Sequence, residues 1–405
     1  MPIGLTDCPV LAPIPGIRLS AASAGIARGE RTDVALIEAK PGSRCAAVFT
    51  RNVFCAAPVT ISRTHLSATS PRYLLSNAGN ANCGTGETGL RAAVDCCEAV
   101  AQHGSCKREE VLPFSTGVIG ENLDAGKIAA VVPSLVESLS EDGWLDAAKA
   151  IMTTDTVPKG ATRHVATASG DYTLTGIGKG AGMIRPDMAT MLAYVATDAD
   201  VEPSVLQRAL ATAVGYSFNR ITVDGDTSTN DSCVLFSTGV SGVRIDSVEG
   251  DEYDAFCDAL TSLCVEIAQA LIRDAEGITK FITIQIDAAQ DEAECSAVAY
   301  TIAHSPLVKT AFFASDPNWG RILAAVGRSG VNGLDLYKVE IFLDDVCIVR
   351  EGGRAESYTE ADGQRVMSLA EITVRVRLGR GSVSTTVWTT DLSHDYVRIN
   401  AEYRT

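Results

Sequence analysis

Residues 179 to 199 read KGAGMIRPDMATMLAYVATDA: a glycine-rich approach, a small residue, a threonine, then an apolar run with the character of a buried strand. A run apolar on both faces fits the covered interior of a sheet, so the chain must build a sheet with something packed over it. The segment also carries chemistry. Ala189 stands directly before Thr190, and a threonine so placed can attack its own preceding carbonyl. A break between Ala189 and Thr190 would give Thr190 a free α-amine beside its own hydroxyl, a known form of activated nucleophile. An α-amino group titrates at about 7.7 to 8.0, which suits it to act as a base near neutral pH. The plainer reading of the same residues is a glycine-rich turn feeding a strand.

The rest of the chain alternates helix and strand. Helical periodicity is clear at 90 to 104 (LRAAVDCCEAVAQHG) and 127 to 139 (KIAAVVPSLVESL), after a Gly/Asn-rich loop at 76 to 86 whose residues tolerate positive φ. WLDAAKAIMTTDT, 144 to 156, reads as a helix leading into a polar loop. Two further helices are predicted at 203 to 218 and 253 to 275. The chain then closes in β-structure: TKFITIQI, KVEIFLDDVCIV, EITVRVRL and SVSTTVWTT, with a strand-like character continuing almost to the C-terminus. The expected class is a mixed α/β sheet protein. There is no internal repeat, low-complexity tract or linker.

With 405 residues, 46% apolar and 21% charged, the chain is long enough for two or three domain-sized units and has the makeup of a compact globule. A formal charge of −16 argues against a nucleic-acid partner, which would need a basic footprint, and leaves anionic substrates dependent on locally placed cations. The N-terminal MPIGLTDCPVLAPIPG lacks a basic region and has prolines in every apolar run, and no uninterrupted apolar stretch of about 18 residues occurs. The expectation is a cytoplasmic protein without a membrane span. Twelve scattered cysteines with no C-x-x-C pair read as small core hydrophobes, and five dispersed histidines give a zinc site little to build on. No metal and no bound cofactor are expected.

Several segments carry candidate chemistry. GIGKGAG at 176 to 182 fits a loose dinucleotide fingerprint, but Pro186 soon interrupts and no helix opens where a pyrophosphate would need one; a Walker loop fails because Gly180 follows Lys179. The glycines read instead as a close backbone approach and a bend, with Lys179 a cation suited to a carboxylate. FSTGVIG at 114 to 120 presents Thr116 and Gly117 at a turn where donors can face an oxyanion. IMTTDT offers Thr153, Thr154 and Thr156 at a helix end. Asp224, Asp226 and Asp231 in VDGDTSTND lack EF-hand spacing and read as Asx-type turns. Glu276 sits at a helix C-terminus, where a carboxylate is disfavoured by the dipole, which hints at another duty.

The segments KGAGMIRPDMATMLAYVATDA, FSTGVIG, IMTTDT, SFNRITVDGDTSTND, RDAEGITKF, SDPNWGRI and INAEYRT, taken in order across nearly the whole chain, closely resemble the ornithine acetyltransferase family, also called the bifunctional arginine biosynthesis glutamate N-acetyltransferases. The resemblance implies paired β-sheets between helical layers, an αββα fold shared with a self-processing aminopeptidase family. It implies self-cleavage into an α chain, 1 to 189, and a β chain, 190 to 405, that stay associated, with two of each in the assembly. It implies Thr190 as nucleophile, Thr116 and Gly117 as the oxyanion hole, and substrate contacts from Lys179, Glu276, Asn400, Thr405 and a threonine of the TTDT motif, taken as Thr154. The implied reaction moves acetyl from N2-acetyl-ornithine to L-glutamate, with acetyl-CoA a second donor in bifunctional members. Two rivals share parts of this pattern: a self-processed N-terminal-nucleophile hydrolase or aminopeptidase, and an uncleaved amino-acid-binding protein.

Overall fold

The computed structural model describes residues 2–5, 8–185 and 191–402. Ala189, Thr190 and Thr405 lie outside the described residues. The chain forms two compact units, one of Thr6–Asn219 with Asp226–Leu271, the other of Ile272–Thr405 with Met1–Leu5 and Arg220–Gly225.

The larger unit contains two sheets. The first has the order β1-β2-β4-β5, from β1 (Ile17–Ala22), β2 (Val34–Ala39), β4 (Tyr73–Asn80) and β5 (Val111–Val118). The second has the order β3-β10-β8-β7-β6, from β3 (Arg44–Phe49), β6 (Lys159–Thr167), β7 (Gly170–Lys179), β8 (Leu192–Thr197) and β10 (Ser232–Ser237); β9 (Asp200–Val201) and β11 (Arg244–Ile245) make a short separate pair. Alternation along the strands sends one set of side chains inward: Leu19, Ile37, Leu74 and Phe114 of the first sheet share a core with Ile177, Leu192, Tyr194 and Phe236 of the second. The opposite face of the first sheet, with Leu36 and Leu75, is covered by α2 (Gly86–Gly104) through Cys96 and Val100 and by α3 (Ala125–Glu137) through Ile128 and Val132. α1 (Ala57–Ala68) packs on β5, α4 (Trp144–Ala150) on β1 and β2, and α5 (Pro203–Tyr216) on β3 and β10.

The outer face of the second sheet is covered by α6 (Asp251–Arg273), and here the glycines of GIGKGAG find their use. A Cβ on Gly178 would come within 2.7 Å of Ile267, and one on Gly176 within 2.9 Å of Leu263. These glycines seat a helix rather than a phosphate. α6 is long and apolar enough by composition to cross a membrane, but its apolar face is the one that covers this sheet. The expected arrangement of two sheets between helical layers is therefore what the larger unit adopts. All twelve cysteines are free thiols, and burial pushes Cys96 up to about 12, as suits a core hydrophobe.

The smaller unit has one six-stranded sheet, order β15-β14-β13-β16-β12-β17, from β12 (Phe281–Ala289), β13 (Glu340–Leu343), β14 (Val346–Arg350), β15 (Gly353–Arg354), β16 (Glu371–Arg377) and β17 (Val383–Thr390). KVEIFLDDVCIV is thus a hairpin, turning at Asp344 with φ +47. Ile282, Ile284, Ile341 and Val374 share a core with Val298 and Ile302 of α7 (Glu292–Ala303), Val308 and Phe312 of α8 (Pro306–Phe313), Val326 of α9 (Trp319–Gly327) and Val366 of α10 (Glu360–Met367). The expectation that the chain closes in β-structure misses these helices and a last one, α11 (His394–Ala401). The strand-like character assigned to the tail ends at Thr390. Ser393 caps α11 by accepting from the Tyr396 N–H at 3.1 Å, with Asp395 in the first turn.

Candidate active site

The sequence-predicted residues fall into two groups, one in each unit. In the larger unit they gather at strand ends. Thr116 and Gly117 are not in a turn: they close β5, which runs parallel to β4 with Gly79 opposite Gly117. Gly117 has φ +133, and a Cβ there would lie 2.3 Å from the Gly79 carbonyl carbon. No side chain is tolerated at that crossing. Asn230 anchors the same end by donating from Nδ2 to the Ser115 carbonyl at 2.9 Å and the Ala81 carbonyl at 2.6 Å.

Lys179 is the last residue of β7 and is buried. Its Nζ donates to Thr116 Oγ1 at 2.9 Å and to Thr153 Oγ1 at 2.8 Å. The threonine brought to Lys179 is therefore Thr153, whereas Thr154, the residue preferred from sequence, makes no such contact. The loop after α4 is shaped by Asp155, which sequence reading did not single out. Its Oδ2 accepts from the Thr153 N–H at 2.9 Å; its Oδ1 accepts from the Gly180 N–H at 2.8 Å and from Lys159 Nζ at 2.6 Å. Burial raises the Asp155 pKa, but the charges of Lys159 and Lys179 and these hydrogen bonds outweigh it and hold the carboxyl below the usual carboxylate range. One anion thus fixes the residues on either side of this junction: Thr153 in the loop and Gly180 just after Lys179.

The next carboxyl behaves oppositely. Asp231 is buried, and its Oδ2 has no hydrogen-bond partner among the described residues. Burial pushes its pKa well above the ordinary value, against the lowering effects of Ser228 hydrogen bonds and the Lys179 charge.

Lys179 pairs with Leu192 across the antiparallel β7–β8 ladder, and Ala189 and Thr190 stand between the two strands in sequence, outside the described residues. Met191, immediately after Thr190, is buried and its carbonyl accepts from the Ser232 N–H at 2.8 Å.

In the smaller unit, Glu276 follows α6 and is buried, with Oε2 accepting from Asn400 Nδ2 at 2.7 Å. Asn400 lies on the last turn of α11, and α11 is held close by Gly277: φ is +65, and a Cβ there would lie 2.5 Å from the Tyr396 nitrogen. Ser393 Oγ donates to the Gly277 carbonyl. Tyr396 donates from its hydroxyl to Asp224 Oδ2 at 3.1 Å, so Asp224 supports α11. Asp391 accepts from the Thr279 N–H at 2.9 Å and the Lys280 N–H at 3.0 Å, fixing the segment after Gly277. Two predicted contacts, Glu276 and Asn400, therefore touch each other directly.

Relatives of known family share this sequence along its length. The sequence pattern of the ArgJ family matches residues 18–405. The arginine biosynthesis bifunctional protein ArgJ of Pseudomonas syringae pv. tomato is 54% identical over 406 aligned residues, which cover 100% of each chain. The protein of the same name from Methylococcus capsulatus is 58% identical, with 98% of this chain and 97% of that one covered. The crystal structure of arginine biosynthesis bifunctional protein ArgJ from Bacillus halodurans is 36% identical, covers 53% of this chain and 100% of its own, and has a TM-score of 0.50. With a family pattern over residues 18–405 and relatives more than half identical over nearly the whole chain, the chain belongs to the ArgJ family.

Proposed function

We propose that this chain cleaves itself between Ala189 and Thr190 and then transfers acetyl from N2-acetyl-ornithine to L-glutamate for arginine biosynthesis, with acetyl-CoA as an alternative donor. The observation that carries the reading is the buried Lys179 ammonium gripping the Thr116 and Thr153 hydroxyls at the end of β7, on the strand that leads into the Ala189–Thr190 connection. In the transfer, the Thr190 hydroxyl attacks the acetyl carbonyl and gives its proton to its own α-amine. The Thr116 hydroxyl and the Gly117 N–H face the oxyanion, ornithine leaves with a proton, and an ester remains on Thr190. The glutamate amine attacks that ester, giving N-acetylglutamate and restoring the hydroxyl. Glu276 and Asn400 recognise the amino-acid part of the substrates, together with Thr405. The alternation of donors predicts ping-pong kinetics.

Strand order supports association of the two pieces. Cleavage at 189 would put β3, β6 and β7 on one chain and β8 and β10 on the other, and in the sheet order β3-β10-β8-β7-β6 the pieces interleave. Two ladders, β3–β10 and β7–β8, would hold them together. The Bacillus halodurans chain, matched in full by 53% of this one, has the size expected of residues 190–405. A cytoplasmic assembly of two α and two β chains completes the reading.

The test is to follow the purified protein by denaturing electrophoresis and N-terminal sequencing, then to assay it with acetyl-ornithine plus glutamate and with acetyl-CoA plus glutamate. Two fragments, the second beginning Thr-Met-Leu, and acetylglutamate in the first assay are expected. A single intact chain with full activity would refute the mechanism, and acetate in place of acetylglutamate would favour a hydrolase.

A further inference from the structure

A lysine ammonium has three donors and no acceptor, whereas a threonine hydroxyl has one hydrogen and two lone pairs. The 2.9 Å and 2.8 Å contacts from Lys179 can therefore run in one direction only: Thr116 and Thr153 both accept. Each hydroxyl is left with a single hydrogen that must point away from Lys179. For a threonine meant to donate to an oxyanion this matters, since a freely rotating hydroxyl presents its hydrogen to that target only part of the time. Accepting from a cation also polarises the O–H and makes it a stronger donor.

The surroundings keep this arrangement in place. Lys179 is buried at the end of β7, and Asp155 holds the backbone of Thr153 and of Gly180 at once, with Lys159 engaging the same carboxylate at 2.6 Å. Thr116 is fixed by its place on β5 next to Gly117, where the close approach to Gly79 leaves little freedom. The position of the ammonium between the two hydroxyls is thus set by protein contacts, with no substrate needed to complete it.

We infer that Lys179 is a positioning residue for the oxyanion hole, aiming the Thr116 hydroxyl hydrogen, and that it does so in self-cleavage as well as in acetyl transfer. This rests on the Proposed function reading of Thr116, and it separates Lys179 from a simple contact for a substrate carboxylate. The two roles differ in one decisive respect: self-cleavage involves no substrate, so a lysine that only binds substrate has no part in it.

The experiment measures self-cleavage of the full-length chain made by cell-free translation and chased on denaturing gels. Lys179→Met and Thr116→Ala should each slow cleavage by tenfold or more, and the double variant should be no slower than Thr116→Ala alone, because Lys179 acts through the hydroxyl that is already gone. Lys179→Ala should regain part of its cleavage rate when ethylamine is supplied to fill the vacated space. Thr116→Ser, which keeps the hydroxyl, should retain dependence on Lys179. Cleavage of Lys179→Met at the wild-type rate overturns the inference, as do losses that multiply in the double variant, or failure of ethylamine rescue in a Lys179→Ala chain that melts like the wild type. A wild-type chain that never cleaves instead sinks the parent reading, so the two failures are told apart.

Discussion

The two groups of site residues are built on different principles. In the larger unit the buried side chains of Lys179 and Asp155 tie buried and half-buried groups together by short contacts: Lys179 to Thr116 and Thr153, Asp155 to Lys159, Thr153 and Gly180. In the smaller unit Glu276 is buried but its partner Asn400 is exposed on an eight-residue helix, held mainly by a cap and by close packing on Gly277. Groups that stabilise a developing charge gain from a dry, preorganised setting in which nothing reorganises during reaction. Groups that receive a substrate arriving from water gain from accessibility. On the proposed function, bond-making and bond-breaking fall to the larger unit's residues and amino-acid recognition to the smaller unit's, and this division can be broken by mutations that should affect both activities or only one.

The largest effect is expected from Thr190→Ala, which should abolish both self-cleavage and transfer. A cleaved or active Thr190→Ala protein, seen on a denaturing gel or in the acetylglutamate assay, would leave the larger unit without its nucleophile.

Next is Asp155→Ala. Lys159 and Asp155 have side chains only 1% and 0% exposed, and removing one partner of such a pair leaves a buried charge at a cost of about 3–5 kcal/mol. Denaturant unfolding should show that loss, and self-cleavage should slow with it because Thr153 and Gly180 lose their common acceptor. Wild-type stability would show that the pair does not organise this region.

Glu276→Gln and removal of Ala401 to Thr405 probe the other side of the comparison. Both should leave cleavage intact while lowering transfer. The loss for Glu276→Gln is expected at about 1.5–3 kcal/mol, the range for a hydrogen bond to a charged group, read from kcat/KM. Slowed cleavage in either variant would erase the division of labour between the two groups.

The smallest effect concerns pH. Lys309 of α8 is buried, donating to the Thr390 carbonyl at 2.5 Å and to Thr389 Oγ1 at 3.2 Å. Burial pulls its pKa from 10.5 down to about 8, opposed by the charges of Asp391 and Asp224. Below about 8 both folded and unfolded chains hold the proton, and the cost of the buried charge is fully felt. Between about 8 and 10.5 the unfolded chain binds more protons, so stability should rise with pH, by at most about 1.4 kcal/mol per pH unit. Comparing unfolding of the wild type and Lys309→Met across this range isolates the contribution; identical pH slopes would show that Lys309 keeps its ordinary pKa.

Local pattern carried much of this protein. The periodicity at 90 to 104, 127 to 139, 203 to 218 and 253 to 275 produced α2, α3, α5 and α6, and the apolar runs produced β8, β12, β16 and β17, because side-chain spacing reports burial directly. The close match of motif after motif marked the family and named Thr116, Gly117, Lys179, Glu276 and Asn400. Other features needed partners distant in the chain. Thr153 and Thr154 are indistinguishable neighbours in sequence, and only the end of β7, 26 residues on, tells them apart by bringing Lys179 to the Thr153 hydroxyl. The Thr-Gly pair at 116 and 117 looks like a turn until β4 brings Gly79 against it. Asp155 and Asp231 are both aspartates in polar loops, and burial raises the pKa of each, yet the charges of Lys159 and Lys179 bring the first below the usual carboxylate range while the second stays well above it. Sequence fixes which residues can bond or ionise; the electrostatic and steric neighbours that decide whether they do are supplied by strands and helices that meet only when the chain is folded.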